Sequence, residues 1–277
     1  DNLERKKSLA DEGKRSGLAT GLYKLDDLMD GIQFGEQFII GARPATGKTA
    51  LGLTLVAEIA MRQNVPTLII SCEMSTEALM SRLCAVYTGV KLSSLRRGTY
   101  TDADMKQILT FNAKLASAPL YIFDAIRGIT GQQVEAIMRQ HARRYGVRFA
   151  LVDYLQKVKS NKRSEKRTYE VAEVSGALRA AAVSNKIALV TLAQVNRESE
   201  QGKEPRMPRA CDLADSGQIE RDADAIALIH RDKKDPSKAC LIIAKQRDAA
   251  EGIIELYYNG QITRFENPES APRYDDD

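Results

Sequence analysis

The 277-residue sequence has no tryptophan, only two histidines and no long apolar run, and these absences exclude several classes of protein. Its four cysteines are widely scattered and form no C-x-x-C pair or Cys/His cluster, which argues against zinc and favours free thiols in a reducing compartment. No stretch of about 18 apolar residues and no signal-peptide pattern occurs, so we expect a cytoplasmic protein with no membrane contact. The formal net charge of +4 permits a nucleic-acid partner without requiring one.

The distribution of charged and apolar residues predicts three segments. Residues 1–16 are dense in charge, with Leu3 and Leu9 as their only large apolar side chains, and are expected to be a linker or docking arm. Residues 17–266 are long enough for a large α/β motor domain, and 267–277 form a polar, acidic tail. Because the sequence opens without an initiator methionine, we expect a fragment or a domain of a longer protein.

The most informative stretch is a phosphate-loop motif. An apolar run begins at Gln37, a loop of small residues follows, and the loop ends in Gly47-Lys48-Thr49 before an apolar helix over 50–61. Strand, loop and helix in this order are the context that a P-loop requires, with Lys48 on the β- and γ-phosphates and the Thr49 hydroxyl on Mg²⁺. The expected nucleotide-binding residues are Ala42, Arg43, Pro44, Ala45, Thr46, Gly47, Lys48, Thr49 and Ala50.

One departure from the strict pattern keeps an alternative open for this motif. The first glycine of the strict pattern is Ala42 here, with Gly41 directly before it, so the pattern differs by one methyl group. An ordinary strand-to-helix turn that contains Gly-Lys-Thr is the alternative.

The remaining apolar patterns predict the fold class. Strands are expected at 67–71, 120–124, 149–155, 187–193, 223–230 and 240–244, and helices at 76–86, 105–117, 132–145 and 169–184. Thr20, Ser75 and Thr130 are candidate N-caps, Thr101 and the acids after it begin another helix, and Val90 to Arg97 is interpreted as a basic turn. The alternation predicts an α/β fold with a mostly parallel central sheet, flanked by helices and finished by an antiparallel hairpin around Asn259-Gly260.

Functional residues of such sheets lie at the carboxyl ends of the strands. Asp153 ends an apolar strand, the setting of a Walker B aspartate that holds Mg²⁺; a turn residue is the alternative. Glu73 could polarise a water for attack on the γ-phosphate, or could simply be a charge at a helix N-terminus. Gln194 could sense the γ-phosphate with its amide, or could be a strand-cap amide.

Two cations follow the strand at 240–244. Lys245 and Arg247 are two residues apart, so they are expected to project to the same side and to suit a polyphosphate, with solvated strand-end charges as the alternative. The basic loop at 157–167 and the long loop at 197–215 are where polyanion contacts are expected. Neither loop has interleaved aromatic residues, so a base-stacking surface is not indicated.

Taken together, the motifs resemble the C-terminal RecA-fold motor domain of DnaB-type replicative DNA helicases. The resemblance covers about residues 17–266, and an alanine in place of the first P-loop glycine is the family's own form. The stretches that carry it are 20–26, Ala42 to Thr49, Ser71 to Met74, Leu151 to Gln156, Ala193 to Arg197, Asp215 to Asp224 and Ala244 to Arg247.

The resemblance implies a RecA-like P-loop NTPase that forms a ring-shaped homo-hexamer, hydrolyses ATP with Mg²⁺ at subunit interfaces and moves 5'-3' along single-stranded DNA. Primase and a helicase loader are implied partners, through an N-terminal helical domain that these residues do not include. The implied roles are metal binding for Asp153, water activation for Glu73 and γ-phosphate sensing for Gln194. Lys245 and Arg247 resemble the pair that reaches the neighbouring subunit's site, with Arg247 as the arginine finger.

The implied DNA-binding residues are Arg197, Asp215 and Gly217. Members of the family commonly carry a basic residue followed by an acid at this place, whereas this sequence has Ala214 before Asp215. Contacts to phosphate would then come from backbone N–H groups around Asp215 and Gly217.

Two other functions compete with the helicase hypothesis. A RecA-type recombinase shares the fold and a Glu73-type base but builds an open filament, and the run from Ser216 to Asp224 argues against it. A non-motor P-loop regulator, with a DNA grip weakened at Ala214, is the second alternative.

Overall fold

The computed structural model describes Glu4, Ser8, Asp11 and residues 15–160, 167–196, 206–213, 219–232, 234–247 and 250–270. Most of the expected arm, the centre of the basic loop and most of the acidic tail therefore lie outside the described residues. The strands are β1 (Gln37–Ala42), β2 (Thr67–Ser71), β3 (Leu120–Asp124), β4 (Phe149–Asp153), β5 (Ala188–Gln194), β6 (Ala225–Arg231), β7 (Lys238–Gln246), β8 (Gly252–Asn259) and β9 (Arg264–Glu266). The helices are α1 (Tyr23–Met29), α2 (Lys48–Val56), α3 (Thr76–Thr88), α4 (Leu92–Arg97), α5 (Asp102–Ser117), α6 (Gly131–Tyr145), α7 (Arg167–Asn185) and α8 (Ile219–Asp222).

In the described ranges all nine strands belong to one sheet, in the order β3-β2-β4-β5-β1-β6-β7-β8-β9. The strands from β3 to β6 run parallel to their neighbours. Their register places Ser71 beside Asp153, and Ala42 beside Gln194. The carboxyl ends of β1, β2, β4 and β5 consequently meet at one edge of the sheet, which confirms the predicted α/β fold and creates a common site there.

Two apolar clusters bury β1, β2 and β4 on both faces, whereas the edge strand β3 is partly exposed. Along β1, Phe38 and Ile40 belong to the cluster that α2 and α3 cover, whereas Ile39 belongs to the cluster that α6 and α7 cover. This alternation follows from the two-residue period of a strand. The helix α2 continues after Val56 as a π-helical segment, Ala57–Arg62, which is largely buried. Within the described ranges, no helix combines the length and the apolar character needed to cross a membrane.

The antiparallel part of the sheet is larger than the sequence predicts. β7 is antiparallel to β6, β8 to β7 and β9 to β8, so the hairpin extends a sheet that has already changed direction. Gln246 at the end of β7 pairs with Ala225 at the start of β6, and Ala225 also pairs with Phe38 near the start of β1. The end of β7 therefore lies at the amino edge of the parallel strands. Lys245 and Arg247 thus lie at the carboxyl end of their own strand, but at the opposite edge of the sheet from the ends of β1, β2, β4 and β5.

Two helix caps predicted from sequence are confirmed, and Thr101 caps the helix expected after it. Ser75 accepts a hydrogen bond from the Ala78 N–H at 3.3 Å. Thr101 and Thr130 each form a capping box, which ties the first turns of α5 and α6 to the preceding loops.

The predicted N-cap at Thr20 is wrong. α1 begins after Leu22, without a side-chain cap, and the Thr20 hydroxyl donates instead to Asp26 Oδ1 at 2.8 Å. The Asp26 carboxylate is 4% exposed and also accepts the backbone N–H groups of Thr20 and Gly21. This buried acceptor recruits Thr20, because a buried carboxylate must be satisfied by donors.

Two loop predictions also need correction. The stretch interpreted as a basic turn, Val90 to Arg97, contains the short helix α4, which ends at Gly98 in the left-handed conformation. The turn at Asn259-Gly260 is correctly located, but Asn259 pairs with Arg264, so the connection has four residues rather than two. Its last residue, Thr263, takes a positive φ of 52°.

Candidate nucleotide site

The loop between β1 and α2 has the conformation of a phosphate cradle. It is closed by the Thr46 N–H and hydroxyl, which donate to the Arg43 carbonyl at 3.2 Å and 2.7 Å. Gly47 precedes α2 with φ of 108°, and a Cβ at this position would stand 2.9 Å from Phe265 Cε2. Glycine is required here for both reasons. The unpaired N–H groups at the start of α2 favour an anion at this place.

Lys48, Thr49 and Asp153 converge beside this loop. The Thr49 hydroxyl donates to Asp153 Oδ2 at 2.7 Å, and Lys48 Nζ lies 3.6 Å from Asp153 Oδ1. Lys48 Nζ also stands 3.5 Å from the centre of the Tyr154 ring. Burial lowers the pKa of Lys48, while the negative charge of Asp153 opposes that change.

The same residues fit a magnesium ion. Asp153 is 1% exposed, and its Oδ1 atom accepts no hydrogen bond from the described residues. A buried carboxylate oxygen that accepts no hydrogen bond, beside a threonine hydroxyl, is an oxygen donor set of the kind that Mg²⁺ takes, together with water and phosphate oxygens. Cys72 is adjacent, and burial together with the charge of Asp153 raises the pKa of its thiol to about 12, so the cysteine is not a thiolate ligand.

A cavity of about 590 Å³ joins Lys48 and Thr49 to two further predicted site residues, Glu73 and Gln194. Glu73 lies two residues beyond the end of β2, is exposed and lines the cavity. Because Ser75 is the N-cap of α3, Glu73 lies outside that helix and faces the cavity instead. The cavity contains all the predicted loop residues except Thr46, whose hydroxyl turns back to the loop itself.

Gln194 also lines the cavity, at the last position of β5 and in register with Ala42. Its backbone is clamped by the side chain of Gln156, which accepts from the Gln194 N–H at 3.1 Å and donates to the Gln194 carbonyl at 3.4 Å. These two hydrogen bonds fix the backbone of Gln194 at the edge of the cavity, and the residue lines the cavity there.

Several cavity residues were not predicted from the sequence. Arg82 comes from α3, Tyr154 follows Asp153, and Tyr258 and Thr263 come from the β8–β9 hairpin. Tyr258 packs on Phe265 with ring centres 4.8 Å apart, and the Arg231 guanidinium lies 4.1 Å from the Tyr258 ring centre. Tyr154 could have been found from its place beside Asp153, whereas no local signal connects a C-terminal hairpin to the P-loop.

Lys245 and Arg247 lie away from this cavity. Along β1 the distance from Phe38, near the amino edge, to Ala42 is roughly 13 Å, since a strand rises about 3.3 Å per residue. Lys245 Nζ donates to the carbonyls of Glu220 (2.5 Å), Arg221 (3.1 Å) and Ala223 (2.8 Å), and Arg247 Nη1 lies 3.1 Å from Asp224 Oδ1. The two cations thus occupy the opposite edge of the sheet from the phosphate loop of their own chain.

The predicted DNA-binding residues, Arg197, Asp215 and Gly217, lie outside the described residues, as does Ala214. The described ends of the long loop are held next to the cavity. Val195 and Leu213 form a backbone bridge, and Arg43 of the phosphate loop donates to the Val195 carbonyl at 2.9 Å. A Cβ on Gly41 would stand 2.5 Å from Leu213 Cδ2, so the base of this loop packs directly on β1.

One protein family and its members match almost the whole length of this chain. A profile of the DnaB-like helicase C terminal domain matches residues 17–267. The replicative DNA helicase DnaB of Leifsonia xyli subsp. xyli (strain CTCB07) is 35% identical over 260 residues, covering 92% of this chain and 56% of that protein. The replicative DNA helicase DnaB of Treponema pallidum (strain Nichols) is 37% identical over 249 residues, covering 90% of this chain and 56% of that protein. The chain spans a little over half the length of these relatives.

Solved structures share the fold over almost the whole chain. A DnaB-like replicative helicase, determined in a study of its interactions with primase, superposes with a TM-score of 0.87 at 26% identity, covering 96% of this chain and 65% of that one. A second solved structure, of an ATPase domain, gives a TM-score of 0.87 at 26% identity and 96% coverage of both chains. Profile, relatives and fold agree: the chain belongs to the DnaB-like helicase C-terminal domain family.

Proposed function

We propose that this chain is the ATP-hydrolysing motor of a replicative DNA helicase. The observation that carries the proposal is the convergence of Lys48, Thr49 and Asp153 at the phosphate loop, with Asp153 Oδ1 buried and lacking a hydrogen bond from the described residues. The loop residues 42–50 bind the triphosphate, and Lys48 neutralises its β and γ groups. Thr49 and Asp153 hold Mg²⁺, which supplies charge neutralisation on the phosphate oxygens.

The remaining cavity residues supply the other parts of the reaction. Glu73 orients and deprotonates the attacking water, because it is the exposed carboxylate that lines the cavity. Gln194 contacts the γ-phosphate and reports its loss to the loop that follows β5. Tyr258, whose ring the Arg231 guanidinium contacts, offers the nucleobase of ATP a flat apolar surface at the cavity wall.

The position of Arg247 favours assembly into a ring. Because Arg247 lies at the opposite sheet edge from its own phosphate loop, it acts on the nucleotide of a neighbouring copy, as an arginine finger. A head-to-tail contact of this kind closes into a ring, and we propose a homo-hexamer that moves 5'-3' on single-stranded DNA. Arg197, Asp215 and Gly217 contact the DNA, chiefly through phosphate. Lys245 lies beside Arg247 and supports the same interface.

The proposal also covers the segments of this chain and the partners of the whole protein. Residues 17–266 form the motor, and residues 1–16 are the end of a connecting linker. A solved relative was studied with its interactions with primase, which supports primase as a partner of the whole protein. A helicase loader and a cytoplasmic location complete the proposal.

The direct test is steady-state ATP hydrolysis with and without single-stranded DNA, for the wild type, Arg247→Ala and a control, Arg139→Ala. Arg139 is an exposed arginine on α6 that pairs with Glu135 within its own helix. We expect DNA to stimulate the wild type and the control, and Arg247→Ala to lose roughly 10³-fold or more. Hydrolysis that is indifferent to both DNA and Arg247 would overturn the proposal and favour a P-loop regulator.

A further inference from the structure

The carboxylate of Asp224 is the centre of a cluster of donors at the amino edge of the sheet. Asp224 precedes β6, is 4% exposed and accepts the Gln37 N–H at 3.0 Å. Arg179 on α7 binds it with two nitrogens, Nε at 3.0 Å from Oδ2 and Nη2 at 2.8 Å from Oδ1. Arg247 Nη1 approaches Oδ1 at 3.1 Å. Both carboxylate oxygens are thus engaged, each by two donors.

The two arginines contact this carboxylate in different ways. Arg179 is bidentate, and its side chain is 30% exposed. Arg247 makes one contact and remains 48% exposed. Since a guanidinium carries five N–H donors in a rigid fork, a single contact leaves most of the Arg247 donors facing outward. Arg179 therefore fixes the carboxylate, and the carboxylate orients Arg247.

The backbone reinforces this orientation. The Arg247 N–H donates to the Asp224 carbonyl at 3.2 Å, so main chain and side chain of Arg247 are both attached to the same residue. Lys245 donates to the carbonyls of the turn that leads into Asp224, and burial, followed by the nearby positive charge of Arg247, lowers the Lys245 pKa. Both arginines bind the Asp224 carboxylate and Lys245 lies close by, so Asp224 offsets the repulsion among the three cations, while Glu220 and Asp222 add negative charge beside Lys245.

We propose that Asp224 is a positioning residue for the arginine finger, with Arg179 as its anchor. The proposal rests on the proposed function, because it assigns Arg247 to a neighbour's γ-phosphate. A long side chain that is already held in one direction reaches the transition state without first being ordered. Asp224 thus raises the turnover rate of the neighbouring site and leaves its affinity for nucleotide unchanged.

The first test compares Asp224→Asn with the wild type in DNA-stimulated ATP hydrolysis. We expect kcat to fall roughly 10- to 100-fold, the usual cost of a misplaced catalytic group, while KM for ATP changes less than about twofold. The matched control is Asp26→Asn, which removes an equally buried, hydrogen-bonded carboxylate elsewhere in the fold. An unchanged kcat in Asp224→Asn, or an equal loss in the control, would overturn the proposal.

The second test is a double-mutant cycle with Arg247→Ala. If Asp224 acts through Arg247, adding Asp224→Asn to Arg247→Ala costs no further activity; a structural role predicts that the two losses multiply.

Arg179→Lys gives the same test with the Asp224–Arg247 contact kept, in case Asp224→Asn does not fold. We expect a smaller fall in kcat for Arg179→Lys, and no fall when the same change is made in the Arg247→Ala background. Wild-type kcat in Arg179→Lys would contradict the proposal. If Arg247→Ala itself retains full activity, the proposed function fails and this inference with it; if only Arg247→Ala loses activity, the inference alone fails.

Discussion

The Thr49 hydroxyl donates to Asp153 Oδ2 at 2.7 Å, although 104 positions separate the two residues in the sequence. Thr49 follows the loop after β1, Asp153 ends β4, and β5 lies between these strands in the sheet. Parallel pairing brings all three carboxyl ends to one edge, so residues from distant parts of the sequence face one cavity. Under the proposed function, this contact marks the place where a metal ion and the triphosphate would meet.

Removing the Thr49 hydroxyl is expected to abolish metal-dependent turnover. Thr49→Val keeps the shape of the side chain and removes the oxygen that faces Asp153, so we predict a loss of roughly 100-fold or more in ATP hydrolysis at saturating Mg²⁺. Thr49→Ser, which keeps the oxygen, is the matched control and should retain most of the activity. The measurement is a Mg²⁺ titration of the hydrolysis rate, and comparable curves for the two variants would contradict the assignment.

Glu73→Gln is expected to separate binding from hydrolysis. The amide keeps the size of the side chain but cannot accept a proton from water, so we predict a fall in kcat of at least about 100-fold with ATP affinity nearly unchanged. Glu77→Gln, an exposed position in the first turn of α3, is the control. Hydrolysis is followed by phosphate release, and binding by titration with a fluorescent ATP analogue. If both variants hydrolyse ATP like the wild type, another group activates the water.

The buried thiol beside the site is expected to be unreactive. Burial and the charge of Asp153 raise the pKa of Cys72 to about 12, so at pH 8 roughly one molecule in 10⁴ carries the thiolate. We predict that iodoacetamide labels the solvent-exposed Cys211 at least about 100-fold faster than Cys72. Peptide mapping by mass spectrometry gives both labelling rates in one sample. Equal rates would show that Cys72 is not buried and that its pKa is not raised.

Two buried aspartates predict opposite dependence of stability on pH. Arg206 holds the pKa of Asp212 below its ordinary 3.8, so Asp212 stabilises the fold above that value and loses this contribution as the pH falls through the lowered pKa. Burial raises the pKa of Asp26, so its ionised form becomes costly as the pH rises above 3.8 and through the raised pKa.

Thermal unfolding between about pH 2 and pH 6 measures both effects. The stability advantage of the wild type over Asp212→Asn should shrink toward low pH, whereas relative to Asp26→Asn the wild type should gain as the pH falls. Parallel pH profiles for the wild type and both variants would contradict the two assignments.

The sequence predicts the strands of the parallel sheet because each is a short apolar run bounded by turn residues. The limits of β2 and β3 are confirmed to the residue. Where long-range contacts decide, the predictions fail: Asp26 recruits Thr20 away from the helix end, and no local pattern specifies that β7 runs antiparallel to β6. Strand direction depends on which faces and edges pair in the folded sheet, and apolar periodicity does not encode it.

The candidate site likewise contains residues that the sequence reveals and residues that only the folded structure brings together. Residues inside contiguous motifs, such as Lys48 and Asp153, could be named from the sequence, because strand ends of a parallel sheet meet at one edge. Tyr258 could not, since it reaches the phosphate loop only through the antiparallel strands. The Asp224 cluster was likewise hidden, because its partners come from β1, α7 and the end of β7.

The central claim is that a nucleotide held by one copy is hydrolysed with Arg247 from the next. Its most direct test mixes two inactive variants, Lys48→Ala and Arg247→Ala, and measures ATP hydrolysis with single-stranded DNA. In an equal mixture about a quarter of the interfaces combine an intact phosphate loop with an intact finger, so we predict clear recovery of activity over either variant alone. No recovery in assemblies shown to contain both variants would contradict the claim.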